Sequence, residues 1–299
     1  MSKCLVTGGA GYIGSNLVNK LIDLGHSVTV LDNESSKYTN TPVWNDKALN
    51  FKLDITNYHN TLSAYKDVDY VFHMAAEVRV QESIENPIRT FEKNVIGTTT
   101  VLECAKQAGV KRVVLSSTSA IYGRNTIPNI ETQLDDPLNP YSVSKLSAEK
   151  IAKMYYELYG LETISLRYFN VYGKNHPEKG DYAPVIGIFK RQLANNQRLT
   201  ITGDGSQSRD FVYIDDIVLA NILAAESKMD KKHMGSVINI GSGKNITIKE
   251  LALLISPDYD FIEQKPGEAK STLANINKAN NILGWTPSVE IKDWLVNNI

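Results

Sequence analysis

Short β-branched runs alternate with helix-length amphipathic stretches through the first half of this chain, and few folds accept that rhythm. Lys3 to Thr7 reads as a first strand, Ile13 to Leu24 as a helix ended by Gly25, and Ser27 to Leu31 as a second strand. Phe51 to Leu53, Tyr70 to His73, Arg112 to Ser116 and Thr163 to Arg167 continue the series. Between them a helix is predicted from Pro87 to Ala108, stopped by Gly109, and another from Tyr141 to Tyr159, stopped by Gly160. Glycine just past a helix end suits the left-handed cap that closes it. Strands joined by crossover helices pair in parallel, so the expected class is α/β with a doubly wound parallel sheet.

After Gly173 the pattern loosens, with Pro, Gly, Asn and charged residues through Lys174 to Asp181 and again through Ser256 to Glu268. Residues 1–173 are therefore expected to form the sheet domain and 174–299 mainly a smaller C-terminal substrate-binding region. Segments near 205–255, among them Val237 to Ile240 and Ile246 to Leu254, are expected to return to the first sheet.

With 42% hydrophobic and 22% charged residues the chain lies in the folded globular range, away from disordered sequences. A formal net charge of -1 offers no broad basic field, so no nucleic-acid partner is expected. Cys4 and Cys104 have neither metal-ligand nor redox spacing and read as core residues, and no metal site is predicted. No signal-peptide pattern opens the chain, and no run reaches the roughly 18 apolar residues of a membrane span. The expectation is a cytoplasmic protein with no membrane partner.

Thr7-Gly8-Gly9-Ala10-Gly11-Tyr12-Ile13-Gly14 stands between the first strand and the first helix. There a glycine-rich turn lets backbone approach a pyrophosphate and aims a helix N-terminus at it, with Gly8, Gly11 and Gly14 as the working positions. The spacing alone also fits a turn that serves only packing. Asp32, ending the second strand, is placed to accept from a ribose diol and would repel a 2'-phosphate, which favours NAD over NADP and a Rossmann-type fold. Asp54 after the third strand suits either the adenine end of that pocket or a turn, and Ala75 and Ala76 leave room for a cofactor against backbone.

Pro140-Tyr141-Ser142-Val143-Ser144-Lys145 opens a helix, and the spacing puts the Tyr141 and Lys145 side chains on one face, a turn apart. A neighbouring ammonium and a cationic nicotinamide ring would favour the phenolate, making Tyr141 a general base. In a chain with 15 tyrosines such a pair also arises by chance. Ser116-Ser117-Thr118 at the carboxyl end of the fifth strand adds a hydroxyl able to bond the same substrate oxygen, in the place where these sheets bind ligands.

Taken together, TGGAGYIGS, LDN at Asp32, HMAAE at His73, NVIGT at Asn94, SSTSAIYG, YSVSK, LRYFNVYG at Arg167, GDGSQSRDFVYIDD at Gly203 and PGEAKSTLANINKANNILGW resemble the extended short-chain dehydrogenase/reductase superfamily. Within it, and over nearly the whole chain, they are similar to UDP-hexose 4-epimerases acting on plain or N-acetylated hexoses. The resemblance implies Thr118, Tyr141 and Lys145 as the catalytic trio. It implies NAD contacts from Gly8, Gly11, Tyr12, Ile13, Asp32, Asn33, Asp54, Ile55, Ala75, Ala76, Asn94, Ser116, Tyr141, Lys145 and Tyr168. UDP-sugar contacts are implied for Val80, Thr118, Tyr141, Asn170, Val185, Arg209, Lys265, Glu268 and Thr272. Lys265 replaces a usual arginine and Asn275 a usual aspartate, while Glu77-Val78-Arg79-Val80 departs from the common pattern on the sugar side.

By the same resemblance Tyr141 removes the sugar 4-hydroxyl proton while hydride passes to NAD, and return to the opposite face inverts the centre. Dehydratases of the family place Asp-Glu directly after the threonine, and decarboxylating relatives a glutamate at the Ala120 position. Here Ser119 and Ala120 stand there, and alanine transfers no proton. The resemblance also implies a homodimer that pairs the Pro87 to Ala108 and Tyr141 to Tyr159 helices. A catalytically idle NAD-binding protein on the same fold is the reading from another class.

Overall fold

The structure, a computed structural model, describes residues 1–36, 42–178, 183–264 and 266–299. Its strands in chain order are β1 (Lys3–Thr7), β2 (Ser27–Asp32), β3 (Leu49–Lys52), β4 (Tyr70–His73), β5 (Arg112–Thr118), β6 (Glu162–Tyr168), β7 (Asn170–Tyr172), β8 (Leu199–Thr202), β9 (Ser208–Tyr213), β10 (Ser236–Ile240), β11 (Asn245–Thr247) and β12 (Tyr259–Ile262). Seven of them form one sheet in the order β10-β6-β5-β4-β1-β2-β3, and every neighbouring pair is parallel. The order runs outward from β1 through β2 and β3, then from β4 the opposite way. A crevice beyond the strand ends at that reversal is where such sheets take ligands.

The central strands are buried on both faces, which is why they read as near-continuous apolar runs. Leu17, Val18 and Leu21 of the helix Tyr12–Asp23 and Ile217, Ala220 and Ala224 of Ile214–Glu226 cover one face. Val101, Leu102 and Ala105 of Gly97–Gln107 with Ala148, Ala152 and Tyr155 of Pro140–Tyr159 cover the other. Cys4 and Cys104 are free thiols buried in these two cores. A third core around Tyr172, Phe189, Ile201, Leu251 and Trp294 joins the C-terminal segments.

The single helix expected from Pro87 to Ala108 is instead an α-turn over Pro87–Phe91, a π-helical turn over Glu92–Ile96 and an α-helix over Gly97–Gln107. Asn94 sits in the π-turn, and its carboxamide is bonded to the backbone of Glu77 and to Ser144. Ile246 to Leu254 also divides, at Thr247, whose side chain accepts from Glu250 N while Glu250 reaches back in a capping box. Of the stretch near 205–255, β10 enters the seven-stranded sheet beside β6. β9 does not, pairing with β7 and β11 in a three-stranded sheet, while β8 pairs with β12.

Candidate active site

A cavity of about 840 Å³ opens where the strand order reverses, with the glycine turn on one side and β7, β9 and the 267–272 segment on the other. Two glycines of the turn leave no room for a side chain. Gly8 takes φ +66°, and a Cβ there would meet the Ala75 backbone at 2.7 Å; one on Gly14 would meet the Gly8 carbonyl oxygen at 2.1 Å. Only hydrogen at these positions lets the turn, the β4 exit and the first helix pack this closely.

Asp32 reaches the same cavity from the end of β2. Its carboxylate accepts from Ala10 N at 3.1 Å and Glu34 N at 2.7 Å, and burial raises its pKa against those two amides. Asp54 accepts from Lys93 at 2.8 Å and Asn33 at 3.0 Å. Burial opposes its ionisation, yet the bonds from Lys93, Thr56 and Asn33 hold its carboxyl well below the usual range. A backbone cradle that admits no side chain, followed by a carboxylate at the second strand, fits a dinucleotide with an unmodified ribose. Gly8, Gly11, Tyr12, Ile13, Asp32, Asn33, Asp54, Ile55, Ala75, Ala76 and Ser116 all border the cavity.

Tyr141 owes its place to the start of its helix. Asn139 caps the helix by accepting from Ser142 N at 2.8 Å, Ser142 reciprocates, and Pro140 occupies the first turn. Ser83 accepts from Tyr141 N at 3.1 Å, docking the helix Val80–Glu85 against this end. Lys145, one turn on, is buried and donates to Ser116 at 3.4 Å. Burial pushes its pKa down to about 8 against the opposing charge of Glu149. Thr118, Tyr141, Lys145 and Tyr168 border the cavity together.

Burial raises the pKa of Tyr141, opposed by a hydrogen bond with Thr118 and by the charge of Arg79. Burial brings the pKa of His73 down to about 3, with the Lys145 charge acting the same way. Asn94 is buried, and its carboxamide is bonded to Glu77 and Ser144, which fixes the β4 exit loop to the Tyr141 helix.

On the other wall stand Val80, Asn170, Val185, Arg209, Glu268 and Thr272. Lys265 lies outside the described residues. Arg209 donates to the carbonyls of Ser208 at 3.0 Å and Lys270 at 3.2 Å and to the Glu268 carboxylate at 3.2 Å. Asn170 Nδ2 donates to Asp210 O, and the Thr272 hydroxyl accepts from Asp210 N at 3.3 Å. Asp210 is a buried anchor absent from the sequence reading: its carboxylate accepts from the amides of Ser242, Gly243 and Ala274 and so ties three segments together. Arg79 and His176 are further cavity residues that had no assigned role. Neither stands in a pattern that spacing could have revealed. Among the described residues no cluster of His, Cys, Asp and Glu is arranged to hold a metal.

A doubly wound sheet, a side-chain-free dinucleotide cradle and a hydroxyl, tyrosine and lysine at the switch point define a short-chain dehydrogenase/reductase of the extended type. Residues 4–241 match the model of the NAD dependent epimerase/dehydratase family, and the chain belongs to that family. It is 34% identical to a UDP-glucuronate 4-epimerase of Thermodesulfobacterium geofontis, over 99% of this chain and 94% of that protein. Among solved structures it is similar to the UDP-glucose 4-epimerase of Thermotoga maritima with UDP-glucose, at TM-score 0.92 and 35% identity over 98% of this chain and 96% of the other. It also resembles the UDP-N-acetylglucosamine 4-epimerase of Methanobrevibacter ruminantium M1 in complex with UDP-N-acetylmuramic acid, at TM-score 0.89 and 34% identity over 100% and 99% of the two chains.

Proposed function

We propose that this chain is a UDP-hexose 4-epimerase that interconverts UDP-glucose with UDP-galactose and UDP-N-acetylglucosamine with UDP-N-acetylgalactosamine. The observation that carries the reading is the convergence of Thr118, Tyr141 and Lys145 on one cavity with Arg209, while Ser119 and Ala120 supply no acid beside them. The Gly8 to Gly14 turn and Asp32 would hold NAD, which would supply a reversible hydride acceptor and a ring charge favouring the Tyr141 phenolate. Thr118 orients the sugar 4-hydroxyl and Tyr141 takes its proton, then returns it. Lys145, anchored on Ser116, keeps a positive charge beneath the site. The sugar passes through a 4-ketone, turns in the cavity and leaves with C4 inverted and no net redox change.

Arg209 offers a diphosphate its planar fork, and the exposed end of Glu268 that now pairs with it is the group the phosphates displace. Thr272 supports acceptance of an acetamido group. It is buried on the cavity wall and small, where tyrosine would occupy the space beside the sugar C2. The protein is further read as a cytoplasmic homodimer joined through the helical stretches 87–107 and 140–159. Ile88, Ile96 and Leu158 expose 84%, 54% and 68% of their surface there, an apolar face that a second copy would cover.

The test is proton NMR of the full chain with NAD and either UDP-galactose or UDP-N-acetylgalactosamine. Conversion of both to their C4 epimers is expected, and Thr272→Tyr should lose the acetylated substrate selectively. A keto-sugar product or no turnover of either sugar overturns the reading. Equal effects of Thr272→Tyr on both sugars remove Thr272 from the specificity argument.

A further inference from the structure

Glu149 stands one helical turn beyond Lys145 on the helix Pro140–Tyr159, on the face turned to the sheet, and is only 4% exposed. Its carboxylate is held from two strands. Arg167 of β6 donates to both oxygens, Nε to Oε1 at 2.9 Å and Nη2 to Oε2 at 2.8 Å, and the Ser117 hydroxyl of β5 donates to Oε1. Ser117 and Arg167 are register partners across β5 and β6, so one side chain of the helix ties both strand ends together. Arg167 is fixed in turn: Asp135 accepts from its Nη2 at 2.9 Å, and its guanidinium lies 4.7 Å from the centre of the Tyr122 ring.

Two parallel bonds from one guanidinium set the orientation of the carboxylate as well as its charge. A buried ion pair adds little stability over apolar side chains of the same volume, so stability alone does not account for it. Its place in the chain does. Ser117 lies between Ser116, which accepts from Lys145 at 3.4 Å, and Thr118, which is hydrogen-bonded with Tyr141. The bond from Ser117 to Glu149 therefore ties the middle of that tripeptide to the very helix that carries Tyr141 and Lys145.

We propose that Glu149 is a positioning residue of the reaction: through Ser117 and Arg167 it holds the strand end that carries Ser116 and Thr118 in register with the helix face that carries Tyr141 and Lys145. This rests on the epimerase reading of the cavity and on the roles that reading gives the trio. The carboxylate also acts by its charge. The titratable groups set around Lys145 are Tyr141 and Glu149 on its own helix and His73 from β4, with Arg167 from β6 behind Glu149. His73 is neutral at working pH, its pKa lying at about 3, so Glu149 is the charge that opposes burial and keeps the ammonium. Without it the ammonium is lost at a lower pH.

Steady-state epimerisation of UDP-galactose by the full chain with NAD, followed from neutral to alkaline pH beside thermal unfolding and NAD titration, tests this on four proteins: wild type, Ser117→Ala, Glu149→Gln, and the double variant Glu149→Leu with Arg167→Met. Ser117→Ala keeps the ion pair and removes only its bond to the strand end, so kcat should fall by roughly three- to tenfold with NAD affinity and KM near wild type. Glu149→Gln should lower kcat by up to about 100-fold, the cost of a displacement on the order of 1 Å, and move the alkaline limb to lower pH. The double variant guards against a Glu149→Gln protein that fails to fold around an unpaired Arg167. An apolar pair of similar volume should restore the melting temperature while kcat stays low; a merely structural Glu149 would give activity that returns with stability. Wild-type kcat in Ser117→Ala, or wild-type kcat and alkaline limb in the folded double variant, overturns the inference. Wild-type protein that turns over neither UDP-galactose nor UDP-N-acetylgalactosamine sinks the functional reading itself.

Discussion

The two walls of the cavity are made by opposite means. On the dinucleotide side, the turn from Gly8 to Gly11 between β1 and the first helix, with the first residues of that helix, does most of the work, and does it with backbone: what matters at Gly8 and Gly14 is the absence of a Cβ. On the sugar side, the wall is assembled from side chains of β7, β9, the 173–178 loop and the 267–272 segment, held in register by buried Asp210. A backbone site tolerates almost no added atom, whereas a side-chain site loses affinity by deletion. The proposed catalytic trio of Thr118, Tyr141 and Lys145 lies where the two walls meet, and substitutions can show whether the division is real.

The largest effect is expected at that junction. Tyr141→Phe keeps the ring packing and the helix cap but removes the proton acceptor, and turnover should fall by roughly 10²- to 10⁴-fold with NAD affinity unchanged, measured by steady-state epimerisation and NAD titration. Near-wild-type turnover would remove Tyr141 from the chemistry. Next comes the backbone wall. Gly14→Ala forces a methyl to within 2.1 Å of the Gly8 carbonyl oxygen. Chemical denaturation should show a loss of about 2–3 kcal/mol together with loss of NAD binding. A variant that binds NAD normally would show the turn to be less constrained than its geometry.

The side-chain wall gives the third. Arg209→Ala should leave NAD binding and stability near wild type while weakening UDP by about 10- to 100-fold, the range of a charge-assisted hydrogen bond to phosphate. Equal UDP affinity would make the Arg209–Glu268 pair structural. The smallest effect is on the pH profile. Because burial holds Lys145 near 8, its ammonium is present below that pH and lost above it, so kcat should decline on the alkaline side of about pH 8. Lys145→Arg, which stays charged, should remove that decline even if it lowers the plateau; an alkaline limb that persists belongs to another group.

The same contrast explains what could be read from the sequence. Strand β1, the glycine turn, Asp32 and the Tyr141 helix are contiguous stretches whose periodicity, caps and spacing carry their own instructions, and the parallel sheet follows from their alternation. Nothing local records that Glu77 and Ser144 occupy the Asn94 carboxamide, nor that a π-turn there splits one long helix. Arg79, whose charge lowers the pKa of Tyr141, stands more than 60 residues earlier in the chain, a proximity that no local spacing records. Asp210 was invisible for the same reason: it works through segments that the fold alone brings together.

The account's central claim is that C4 is inverted by carrying the same hydrogen off the sugar and back. UDP-galactose bearing deuterium at C4, incubated with the full chain and NAD in ordinary water and followed by NMR, tests this most directly. The account predicts that UDP-glucose accumulates with deuterium still on C4. Product carrying protium at C4 would mean that the hydrogen leaves as a solvent-exchangeable proton, and would contradict it.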